Sequence, residues 1–164
     1  MIIPIIAWVI SLFYILNKGN LIKGGGPGFL DIDLVTIFMC YLLVRHGSTA
    51  AVVFAFVQGI LIDVFSAGLL GMSALLYLIA FFCVYFGCRL LDLLSPRGQV
   101  ILVASAVFLR RIVFVLILEA FSLKVTLSFS SITLFAISAI ATGIVAVPVF
   151  VVFDRLERTP ARRV

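Results

Sequence analysis

Gln99-Val-Ile-Leu-Val-Ala-Ser-Ala-Val-Phe-Leu-Arg-Arg-Ile-Val-Phe-Val-Leu-Ile-Leu-Glu-Ala-Phe121 is the stretch that decides the fold. Crossing a hydrocarbon layer about 30 Å thick takes roughly 20 mostly apolar helical residues, and this run has that length. Five more apolar runs surround it, over about Ile2–Leu16, Phe29–Val44, Ser48–Phe65, Leu69–Leu91 and Ser131–Phe153. Polar segments separate them: the Gly-rich Asn17–Gly28, Arg45-His46-Gly47, Ser66-Ala67-Gly68, the Asp92–Gly98 connection around Pro96-Arg97-Gly98, and Ser122–Ser130. Gly and Pro clusters of this kind mark loops. Pro4 fits the first turn of a helix, where its missing N–H does no harm. Ser48 reads as the N-cap of the third helix.

The composition points the same way. Of 164 residues, 65% are hydrophobic and 12% charged, against about half and a quarter in soluble domains. A soluble domain of this size could not hide so much apolar surface. The expected fold is an all-α integral membrane protein, a compact bundle of about six transmembrane helices. Residues 1–153 form one transmembrane domain and 154–164 a basic cytoplasmic tail. Met1–Leu16 has no positive leader and no small-residue cleavage site, so it is expected as a retained first helix.

The net charge of +5 is not a nucleic-acid signal, because the basic residues are scattered between apolar runs and form no stripe. They are topology signals. With both termini cytoplasmic, the inner segments hold Arg45, Arg89, Arg97, Arg155, Arg158, Arg162 and Arg163, and the outer segments hold Lys18, Lys23 and Lys124. Seven against three satisfies the positive-inside rule. The second run, opened by Asp31 and Asp33, has only about a dozen uncharged residues, which calls for burial against neighbours or local thinning.

Four charges fall at membrane depth: Asp63, Arg110, Arg111 and Glu119. Such groups usually face the bundle interior with a partner. Adjacent arginines point about 100° apart on a helix, so Arg110 and Arg111 need different surroundings. Glu119 is too far along the same helix to pair with either. Asp63 is therefore the expected ion-pair partner of one of them. The alternatives are contact with a partner's helix, with a lipid headgroup, or a proton or ion relay. Ala51, Ala55, Gly59 and Asp63 share one helix face at four-residue spacing, which allows two helices to approach closely. Ala139 and Gly143 repeat this on a smaller scale.

Catalytic and metal sites are not expected. His46 is the one histidine; it sits at a turn beside Arg45 and reads as an interfacial polar residue. No metal-ligand spacing is present, and no cofactor is implied. The three cysteines, Cys40, Cys83 and Cys88, read as small buried apolar residues.

Two blocks carry a resemblance to a known family. Phe56-Val-Gln-Gly-Ile-Leu-Ile-Asp-Val-Phe-Ser-Ala-Gly68 is similar to a G-x-x-x-D-hydrophobic-x-S-G segment, and Leu70-Gly-Met-Ser-Ala-Leu-Leu-Tyr77 to the helix start that follows it, in the rod-shape-determining MreD family. Asp31-Ile-Asp-Leu-Val resembles the family's opening of the second helix without its proline, and Gly47 fits the glycine after that helix. The resemblance covers roughly Phe29–Ala80. It implies a non-enzymatic component of the bacterial elongation machinery in the cytoplasmic (inner) membrane. Its partner would be the single-span scaffold MreC, connecting it to MreB filaments and to the glycosyltransferase and transpeptidase of lateral wall synthesis. Gly59, Asp63, Gly68 and Gly71 are the residues expected to bind the partner or to shape the fold. The family is also similar in fold to the S components of energy-coupling-factor vitamin transporters, so the alternative is a substrate-binding subunit of that type.

Overall fold

A computed structural model of the chain describes residues 2–23, 32–66, 71–90, 95–121 and 129–158. Among these the fold is all-helical, with α1 (Ile2–Lys23), α2 (Leu34–His46), α3 (Ser48–Ser66), α4 (Met72–Leu90), α5 (Pro96–Ala120) and α6 (Phe129–Arg158). Four helices are long and apolar enough to cross a membrane, over Ser48–Phe65, Met72–Leu90, Arg97–Ala120 and Ile132–Leu156. The apolar parts of α1 (Pro4–Leu16) and α2 (Leu34–His46) are shorter. The chain is a membrane-protein helical bundle.

The arrangement explains the short second helix. α2 is the central post, in contact with α1, α3, α4, α5 and α6. All eight residues from Val35 to Leu42 are buried. A helix surrounded by protein need not match the bilayer thickness, because its polar ends can find partners inside the bundle rather than in water. The other helices form the ring: α3 packs on α1 and α4, and α5 on α4 and α6. Their outward sides carry lipid-compatible residues such as Phe13, Val53, Leu75, Phe82, Ile101 and Ile144, each at least half exposed or nearly so.

Several helix ends differ from the sequence expectation. α1 continues through Asn17–Lys23, which reads as the start of a loop. The one glycine in that stretch, Gly19, costs a helix only about 1 kcal/mol. α2 starts at Leu34 rather than Phe29, with Asp33 as N-cap. Ser48 is the first helical residue of α3, not its cap. Gly47 takes the cap position, and its carbonyl accepts from the Ala51 N–H at 3.3 Å. Gly47 has φ 91° and ψ 172°, a region open essentially to glycine alone, and it turns α2 into α3 without a loop. Pro96, expected in a connection, opens α5. Ser95 caps it by accepting from the Gly98 N–H at 3.1 Å, and proline suits the first helical position because its N–H would be unpaired there anyway. α4 begins at Met72, and α6 extends from Phe129 to Arg158 past Pro148. Phe29–Asp31 and 67–70, on which other expected boundaries fall, lie outside the described residues.

Small residues set the closest crossings. A Cβ on Gly59 would stand 2.4 Å from the Cα of Ala74, so α3 and α4 touch backbone to backbone there. A Cβ on Gly143 would stand 2.8 Å from the Val100 carbonyl oxygen, which marks the same device between α6 and α5. Where Arg45 and Asp154 meet at 2.7 Å, the ends of α2 and α6 lie on one side of the bundle.

Candidate functional site

Two buried carboxylates, each with several partners, stand out among the described residues. The first belongs to Asp33. As N-cap of α2, its carboxylate accepts from the Thr36 N–H at 3.4 Å and from the Thr36 hydroxyl. The position of the cap makes it unusual. α2 rises about 20 Å from its Arg45 end, at 1.5 Å per residue, which leaves Asp33 inside the bundle and only 2% exposed. Arg110 stands 14 residues into α5, about 21 Å from that helix's start, so the two meet at the same level. Their contact is 2.9 Å. Tyr77 of α4 donates its hydroxyl to the same carboxylate at 3.0 Å, and the Arg110 guanidinium lies 4.8 Å from the Tyr77 ring centre. From α6, the Thr142 hydroxyl accepts from the Asp33 N–H at 3.4 Å and donates to the Ser138 carbonyl at 2.8 Å. The Tyr14 hydroxyl of α1 donates to the Ile32 carbonyl just before the cap. The Asp33 carboxylate thus ties α2, α4 and α5 together, its backbone N–H adds α6, and α1 is attached beside it.

Arg111 points away from this hub, as the 100° step requires. It donates to the Ser138 hydroxyl at 2.8 Å and lies 5.5 Å from the Phe135 ring centre. Glu119 is exposed near the end of α5.

The expected pairing of an arginine with Asp63 is therefore corrected: the acidic partner is Asp33. Read as sequence, Asp33 sits at the water-facing end of a spanning helix. The shortness of α2 is what sinks it into the interior. That shortness was visible in the sequence, and it is the signal that could have found this residue.

Asp63 makes the second construction. It lies 3% exposed on α3, and its carboxylate accepts from the backbone N–H groups of Gly71 (2.9 Å), Ser73 (2.9 Å) and Ala74 (3.4 Å). It is a side-chain cap supplied from another helix to the start of α4, where unpaired N–H groups and the helix dipole favour a negative charge. Gly59, one turn earlier on the same face, brings α4 into reach. Gly71, with φ 92°, presents its N–H from a left-handed conformation that suits glycine. Gly59, Asp63 and Gly71 therefore act at one place. Gly68, the fourth residue of the expected set, lies outside the described residues.

Beside this clasp runs an open apolar groove of about 480 Å³ between α3 and α4, lined by Phe56, Ile60, Asp63, Gly71, Leu75 and Leu78. Of the remaining candidates, Cys40 is buried, Cys83 and Cys88 are half-buried, and His46 is exposed with its ring 6.4 Å from that of Tyr41. No group of three or more His, Cys, Asp or Glu that could hold a metal ion occurs among the described residues.

No protein-family model matches the chain, and neither the curated proteins nor the solved structures contain a match to it. The fold and the two polar constructions define its class, a membrane-embedded helical bundle around a central short helix.

Proposed function

We propose that this chain is a non-enzymatic interaction component of the bacterial cell-elongation complex, of the MreD kind, in the cytoplasmic membrane with both termini inside. In this reading it binds the single transmembrane helix of the scaffold MreC and, through it, acts on MreB filaments and on the glycosyltransferase and transpeptidase. One observation supports it above others. Gly59, Asp63 and Gly71, which carry the sequence resemblance, converge on one α3–α4 clasp. That clasp borders a lipid-facing apolar groove. Two helices held backbone to backbone beside a groove offer a surface on which a partner helix can pack without reorganising the bundle, which keeps the entropic cost of association low.

The test is co-purification of the tagged chain from its native host in mild detergent, read by mass spectrometry. Recovery of the scaffold and the wall synthases, lost when Leu75 and Ile60 are replaced by Trp to fill the groove, supports the reading. Their absence from the wild-type sample overturns it.

The Asp33–Arg110–Tyr77 hub favours a second reading, a small-molecule subunit resembling an energy-coupling-factor S component. It places charged and hydroxyl groups inside the bundle, as a polar substrate would need. Recovery of an ATPase pair with a coupling membrane subunit in the same experiment would support that reading instead.

A further inference from the structure

Ser11 of α1 and Gln58 of α3 are both fully buried, and neither the Ser11 hydroxyl nor either polar atom of the Gln58 carboxamide has a hydrogen-bond partner among the described residues. Buried polar groups are almost always satisfied, and an orphaned one calls for an explanation. A membrane bundle offers no bulk water to relieve it.

The two residues stand at one level on neighbouring helices. The Tyr14 hydroxyl bonds the Ile32 carbonyl, which sets the later half of α1 beside the start of α2. α2 then runs to Gly47, where α3 begins, so α1 and α3 point the same way. Trp8 of α1 meets Phe54 of α3 edge-on, with ring centres 5.2 Å apart. Advancing about one turn on each helix reaches Ser11 and Gln58. Both belong to inward faces. Ser11 shares its stripe with buried Ala7 and Ile15, and Gln58 lies beside buried Ala55 and Gly59. Between them the two side chains carry an N–H₂, a carbonyl and a hydroxyl.

We propose that Ser11 and Gln58 bind one enclosed water molecule, which pins α1 to the bundle. Water is the guest whose chemistry fits. Buried waters typically make about three hydrogen bonds to otherwise unsatisfied groups. Gln58 supplies a donor and an acceptor, and the Ser11 hydroxyl completes the set. The pin adds to a thin inward face: among the α1 residues whose burial is described, Ala7, Ser11 and Ile15 are buried and Ile6, Trp8 and Tyr14 pack partly against the core, while Ile5, Val9 and Phe13 are 62%, 63% and 68% exposed. This assignment is independent of the proposed function.

The measurement is water-to-amide magnetisation transfer by NMR on the full chain, labelled with ¹⁵N at its glutamine side chains, in detergent micelles. Gln58 and Gln99 are the two glutamines, so the spectrum is simple to assign with Gln58→Leu. The Gln58 side chain should show a contact with a long-lived water that disappears in Ser11→Ala. No such contact in the wild type, or one unchanged by Ser11→Ala, overturns the proposal. A thermal-unfolding cycle checks it separately. Ser11→Ala and Gln58→Leu should each lower the midpoint, and the double variant should fall no further than the worse single one. Additive losses, or a stabilised Gln58→Leu, overturn it as well.

Discussion

Asp33 and Asp63 are both acidic, both nearly inaccessible and both caps of helix starts, yet they do different things. Asp33 faces a guanidinium at 2.9 Å, while among the described residues the partners of Asp63 are backbone N–H groups. Desolvating an ion pair is expensive, and the attraction repays it only with good geometry and additional hydrogen bonds. Thr36 and Tyr77 provide those bonds around Asp33. Removing Arg110 alone should then strand a buried carboxylate. Arg110→Met is expected to cost about 3–5 kcal/mol of stability, and pairing it with Asp33→Asn should restore much of the loss. Asp63→Asn keeps an acceptor at the start of α4 and should cost only about 1 kcal/mol, the typical worth of a cap. Thermal unfolding in detergent ranks the three variants. Equal losses in Arg110→Met and Asp63→Asn would contradict the assignment of the ion pair.

At the scale of elements, glycines determine how closely helices meet, and they are not equivalent. The hypothetical Cβ at Gly59 meets backbone, Ala74 Cα at 2.4 Å, whereas the one at Gly87 meets the Leu102 Cδ1 at 2.3 Å, the tip of a flexible side chain. Backbone cannot rotate away. Gly59→Ala should push α3 and α4 apart and cost about 1–3 kcal/mol, as overpacking does. Gly87→Ala should be near neutral, because a shifted Leu102 is offset by the better helix propensity of alanine, about 1 kcal/mol. Gly47→Ala should cost about 1–3 kcal/mol through backbone strain, although open space surrounds its Cβ position. Measured unfolding midpoints that placed Gly87→Ala below Gly59→Ala would reverse this order.

The same elements show how much was legible beforehand. Helix number followed from run length, because apolar length is a one-dimensional signal. The α3 ladder of Ala51, Ala55, Gly59 and Asp63 was readable from four-residue spacing, and all four are buried. What α2 does was not readable. Whether a short apolar helix lies among lipids or among other helices depends on tertiary packing, and that difference puts Asp33, which opens the second apolar run, inside the bundle. The same limit applied to Arg111. The 100° step separates it from Arg110, but nothing in the spacing singles out Ser138 as its partner.

For the molecule as a whole, orientation is a balance of small charge effects rather than of any single contact. The Arg45–Asp154 pair joins two helix ends, but its side chains are 44% and 31% exposed, so it should contribute no more than about 1 kcal/mol. Orientation rests instead on the count of Lys and Arg near the helix ends. In the proposed topology the inner side holds seven arginines and the outer side three lysines. Replacing Arg155, Arg158, Arg162 and Arg163 by Gln removes four from the inner side and leaves three on each. The bias then vanishes, although no apolar run has changed. A reporter fused after Val164 that is active only in the cytoplasm should be uniformly active in the wild type. In the four-fold variant it should split into active and inactive populations. Adding Lys124→Gln to that variant returns an excess of one to the inner side and should recover part of the activity. A wild-type reporter that is silent would reverse the proposed orientation. A four-fold variant that stays uniformly active would mean that Arg45, Arg89 and Arg97, at the ends of the earlier helices, fix the orientation before α6 is inserted.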